Sequence, residues 1–139
     1  VRSSAASDVY KRQLTWFAVR IPDLHLYTNF HLQDSTTSTV YEDDVSDELH
    51  TTGDSTCGLG LRHEQDLVLF LGNTQERSIT TAVRLTCPLA GAYRARVYNS
   101  LMSRWTEEGK LLTPERLGSG VTVQIERQGF CLMELHQET

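Results

Sequence analysis

The sequence predicts an all-β fold, an antiparallel β-sandwich of roughly eight to nine short strands with little helix. Three observations carry this: apolar and polar residues alternate in segment after segment, Gly, Pro and Asn punctuate the segments, and helix signals are scarce. The chain has 139 residues, of which 39% are hydrophobic and 22% charged, enough for one domain with a real core. The longest apolar run, Leu67 to Leu71, has the length of a strand and falls well short of the ~18 residues that cross a bilayer. No membrane partner is expected.

Val1 to Gln13, VRSSAASDVYKRQ, shows no periodicity and no apolar stretch of the kind a secretory signal requires. It resembles the adapter-derived read-through found at the ends of reading frames assembled from metagenomic reads. It is therefore set apart, with a single sandwich domain expected over 14–139 and the natural sequence running on from a longer gene near Leu14.

From there the strands follow in order. LTWFAVRI carries Leu14, Trp16 and Ala18 on one face and Phe17, Val19 and Ile21 on the other, a strand apolar on both sides that Pro22 stops. DLHLYTNFHLQ places Leu24, Leu26, Phe30 and Leu32 in phase and predicts a second, half-buried strand. STVYE is a short third, followed by the acidic loop EDDVSDE. In TCGLGLRH, Cys57, Leu59 and Leu61 alternate with Gly58, Gly60 and Arg62, the glycines signalling a bulge or a close backbone approach. LVLFLGN is a continuous apolar strand ending at a Gly72-Asn73 turn. SITTAVRLTC points Ile79, Val83, Leu85 and Cys87 inward, and AYRARVYN does the same with Tyr93, Ala95 and Val97. VTVQIE and GFCLMEL, separated by Arg127 and Gln128 before Gly129, read as a tight closing hairpin. The best helix signal is SLMSRWTEEGK, a short turn capped by Ser100 and ending at Gly109.

Few chemistries survive a pass along these strands. The three cysteines form no CxxC pair, and each is in phase with apolar neighbours: Cys57 with Leu59, Cys87 with Leu85, Cys131 with Met133. They read as buried thiols, which leans toward a reducing, cytoplasmic compartment. A cysteine nucleophile would need a histidine partner and a partly exposed, electropositive setting. His25 and His31, on the polar face of one predicted strand, would stand about 20 Å apart, too far to share a metal. Glu42, Asp43, Asp44, Asp47 and Glu48 lack the ordered spacing of a calcium loop. Eighteen acidic residues supply carboxylate pairs by chance, so their number selects no glycosidase pair. No catalytic residue, metal or cofactor is assigned.

The formal charge of −5 and the absence of a phosphate-loop motif oppose nucleic acid as a partner. Arg84, Arg94 and Arg96 are expected on a solvent-facing sheet surface. Tyr98 alternates outward beside Arg94 and Arg96, and Trp105 falls in the loop after that strand. Aromatic rings with polar neighbours suit the apolar face and hydroxyl edges of a sugar, which makes Tyr98 and Trp105 the candidate ligand-binding residues. A loop tryptophan also commonly folds back over the core, and Tyr41 reads that way.

DLVLFLGNTQ, ITTAVRL, AYRARVYNSLMSRW and VTVQIERQGFCLMEL, in that order, resemble the C-terminal β-sandwich that follows the catalytic (β/α)₈ barrel in many glycoside hydrolases. The resemblance covers Asp66 to Glu134. It implies a non-catalytic accessory domain that packs on a catalytic domain N-terminal to it. The alternative is a free-standing module that binds carbohydrate or protein.

Overall fold

The structure, a computed structural model, describes residues 24–26, 32–34, 39–52, 56–99 and 104–138. Val1–Gln13 and the strand predicted over Leu14–Ile21 lie outside them. The described chain is an all-β sandwich of a six-stranded and a three-stranded antiparallel sheet, with a further small sheet.

The small sheet comprises β1 (Leu24–Leu26), β2 (Leu32–Asp34) and β3 (Thr39–Tyr41). β1 and β2 pair with each other, Leu24 opposite Asp34, so the run predicted as one strand is two. Alternation cannot separate these cases, because antiparallel neighbours keep the same period of two. The separation assigned to His25 and His31 assumed a single strand and does not carry over; His31 lies outside the described residues.

The acidic segment holds more structure than a loop. β4 (Asp43–Asp44), a 3₁₀ turn (Ser46–Glu48) and β5 (Leu49–Thr51) follow one another there. Val45 is the reason: its side chain is buried and its backbone N–H donates to the Gly60 carbonyl at 2.8 Å. This segment crosses β6 (Thr56–His63), and the glycines make room for it. A Cβ at Gly58 would lie 2.9 Å from Leu49 Cδ2, and one at Gly60 would lie 3.2 Å from Val45 Cγ2.

The remaining strands are β7 (Asp66–Asn73), β8 (Ile79–Leu85), β9 (Tyr93–Asn99), β10 (Arg104–Leu112), β11 (Val121–Ile125) and β12 (Phe130–Gln137). The large sheet runs β10-β9-β12-β7-β6-β4 and the small facing one β11-β8-β5. The core lies between them, where Leu67, Leu69, Leu71, Cys131, Met133, Leu135, Tyr93 and Ala95 meet Val83, Leu85, Val121 and Ile125. Cys87 and Cys131 are buried, as their phase predicts, and burial pushes the Cys87 thiol up. The side chain of Cys57 is not among those described.

Two local expectations, a hairpin and a helix, give way to other strand pairings. β11 and β12 do not form a hairpin: β11 pairs with β8, while β12 is taken on both edges by β7 and β9. A strand has only two hydrogen-bonding edges, so β12 has none left for β11. The helix predicted around Ser100–Gly109 is strand β10 from Arg104 onward, paired with β9 and bulged between Thr106 and Lys110 where Gly109 takes φ +81°. Alignment along β9 outweighs the weak propensity of so short a helix. The helix that forms instead, α1 (Pro114–Ser119), has Thr113 as N-cap, Pro114 in its first turn and buried Leu117.

Asn73 closes β7 as its Gly-Asn signal predicts, and does so fully buried. Its Nδ2 donates to the carbonyls of Arg77 at 2.8 Å and Glu126 at 2.9 Å, and its Oδ1 accepts from the Gln75 amide at 2.9 Å. It thereby joins the β7–β8 and β11–β12 connections. Asn73→Ala should lower the unfolding free energy by about 2 kcal/mol, since buried carbonyls and an amide lose their partner, measurable as a fall in urea midpoint at constant slope.

Candidate functional site

The large sheet has a second face, turned away from the core cluster, and much of it is buried too: Leu59, Leu61, Val68, Phe70, Tyr98 and Leu132 are shielded from water. Register places its side chains in rows across the strands. One row is Leu59, Phe70, Leu132, Tyr98 and Trp105, on β6, β7, β12, β9 and β10. The next is Leu61, Val68, Glu134 and Arg96, and the last begins His63, Asp66 and continues to His136 and Arg94 through the pairing of β12 with β9.

The first row is aromatic. Phe70 stacks on Phe130 with ring centroids 5.2 Å apart, Phe130 on Tyr98 at 6.0 Å, and Tyr98 meets Trp105 edge-on at 5.6 Å. Tyr98 is only 5% exposed, so the expectation that it faces solvent is corrected. It does point away from the core cluster, but the surface it points to is itself covered. Trp105 lies in strand β10, directly opposite Tyr98, and not in a loop. The two candidate residues are thus brought together, with Trp105 half-buried. The Arg96 guanidinium sits 3.8 Å from the centre of its ring, in cation–π contact. A sugar stacking on that ring face would first have to displace Arg96.

The rows beyond are ionic. Glu134, 2% exposed, accepts two hydrogen bonds from Arg96, Nε to Oε1 and Nη2 to Oε2, both at 3.1 Å. His136 Nε2 bonds the same Glu134 Oε1, and His136 Nδ1 lies 3.4 Å from Asp66 Oδ2. Asp66 Oδ1 accepts the Gln137 amide at 2.9 Å. Burial works to raise the Glu134 pKa, but its bonds to His136 and Arg96 outweigh burial and hold the carboxyl below its usual range. The bond to Glu134 lifts His136 to about 9, against burial and with help from Asp66. Two cations and two anions therefore balance within the cluster.

Sequence reasoning missed this cluster. Glu134 is the one buried charged side chain among the described residues, and it interrupts the apolar run FCLMEL. An acid in the middle of a strand buried on both faces is a readable signal of a hidden cation partner. Arg96 is that partner and not a solvent-face residue. Arg84 belongs to β8, in the other sheet from Arg94 and Arg96. The acidic residues Asp43, Asp44, Asp47 and Glu48 gather no group suited to a metal, and no such group of three or more ligands occurs among the described residues.

Fold and site together define a β-sandwich protein with a self-neutralised ionic cluster on the outer face of its larger sheet. No family model matches the chain, and no curated protein matches it.

Proposed function

We propose that this chain is a non-catalytic accessory domain, the C-terminal β-sandwich of a larger carbohydrate-active enzyme, whose work is to pack against and support a catalytic domain. The observation that carries the non-catalytic part is the pairing of Glu134. A glycosidase site needs two carboxylates turned toward a ligand about 5–9 Å apart. Here the buried carboxylate is spent on Arg96 and His136, inside the fold. The connection to carbohydrate rests on the likeness of Asp66–Glu134 to the sandwich that follows a glycoside hydrolase barrel.

The gene upstream of Leu14 tests this directly. It should encode a (β/α)₈ barrel with paired carboxylates, and that barrel should lose thermal stability when the present domain is deleted from it. An upstream frame of another kind, or a barrel indifferent to the deletion, would refute the proposal.

The second reading, a free-standing carbohydrate-binding module, is favoured by one observation: Trp105 is partly exposed on β10, the last strand of the large sheet among the described residues. On a glycan array the accessory-domain reading expects background signal from both the chain and its Trp105→Ala variant. Glycan binding abolished by Trp105→Ala would favour the module instead.

A further inference from the structure

At the ionic end of the outer sheet face, one imidazole lies between two carboxylates. His136 offers Nδ1 to Asp66 and Nε2 to Glu134. Carboxylate oxygens only accept, and a neutral imidazole carries a single N–H. Both contacts are hydrogen bonds only when the ring holds two protons. Among the described residues, the charged and titratable groups facing it are His63 from β6, Asp66 from β7, Arg94 and Arg96 from β9, and Glu134 with Glu138 from the β12 end. Arg94 is paired with Glu138, which leaves Asp66, Glu134 and Arg96 beside the ring and His63 on the far side of Asp66.

We propose that Asp66, His136, Glu134 and Arg96 form a proton-held latch that ties β7, β12 and β9 together across this face, and that loss of one imidazole proton releases the β7 side. The side is decided by burial. Glu134 is shut away from water and cannot replace a lost donor with a water, as Asp66 can, so the remaining N–H stays on Nε2 beside the bonds from Arg96. Nδ1 then turns a lone pair toward Asp66, whose side chain is 35% exposed and can hydrate. As Asp66 turns to water, its Oδ1 bond to the Gln137 amide opens with it, while β12 stays bound to β9 through Glu134 and Arg96.

The direction with pH follows from linkage. The folded-state pKa of about 9 stands above the ordinary 6.5, so the latch contributes fully below pH 6.5 and is lost as pH rises through about 9. The His136 side chain is 42% exposed, and solvent screening cuts the effect to about tenfold in the unfolding equilibrium constant.

The test compares the full chain with His136→Gln by urea unfolding from about pH 6 to about pH 10, and follows the His136 ring of the unchanged chain by NMR over the same range. The unfolding constant of the unchanged chain should rise about tenfold relative to the variant, the ring should titrate above about pH 8, and the Gln137 amide should lose exchange protection with it. Parallel unfolding profiles, or a ring that titrates at or below about 6.5, would overturn the latch. If the variant does not fold, the ring titration and the Gln137 exchange decide the matter on the unchanged chain.

Discussion

Phe70→Ala should lower the unfolding free energy by about 3–5 kcal/mol, the range for deleting a buried aromatic side chain that leaves a cavity. Phe70 is fully buried at the centre of the larger sheet, on the face opposite the main core, and begins the stack that runs through Phe130 to Tyr98 and Trp105. Its neighbours there, Val68, Leu132 and Leu61, are held in strands paired on both sides and cannot collapse into the space. Phe70→Leu, which keeps most of the volume, should cost about 1 kcal/mol. Urea unfolding of the two variants checks both values. A cost for Phe70→Ala below about 1 kcal/mol would mean that this face does not hold a second core.

Arg96→Met should cost about 3 kcal/mol, and Arg96→Met combined with Glu134→Leu should cost less than Arg96→Met alone. The single change strands Glu134, 2% exposed, with His136 as its remaining cation. A buried ion that loses its partner is penalised more than a pair replaced by apolar groups of similar size. The cycle of single and double variants by urea unfolding measures the coupling directly. A double variant costing the sum of the singles would show that the two side chains act independently.

Much of the architecture was legible in the chain, and particular residues show why. The inward phase of Ile79, Val83 and Leu85 is kept in β8 and runs on to Cys87 just beyond it, and that of Tyr93 and Ala95 is kept in β9, because alternation records which side of a strand meets the core. Gly58 and Gly60 announced a close approach, and Val45 and Leu49 supply it. Helix α1 was missed, although Thr113-Pro114, a cap followed by a proline that suits the first helical turn, is a local signal for it.

The candidate site was less legible. Tyr98 and Trp105 were named from their phase and position, but phase gives only the side of the sheet. Whether that side meets water depends on what else lies on it. Arg96 and Glu134 are 38 residues apart, and nothing local in either segment indicates the other.

The sequence by itself determined that this protein is made of short strands, where most of them begin and end, and, on β8 and β9, which side chains face the main core, because period and turn chemistry are local properties of the chain. Only the tertiary structure decided that β12 lies between β7 and β9, that β11 belongs to the other sheet, and that the outer face buries an aromatic stack and carries a matched ionic cluster beside it. Those outcomes depend on competition among strands for a limited number of hydrogen-bonding edges, and on partners distant in sequence, neither of which a window of neighbouring residues contains.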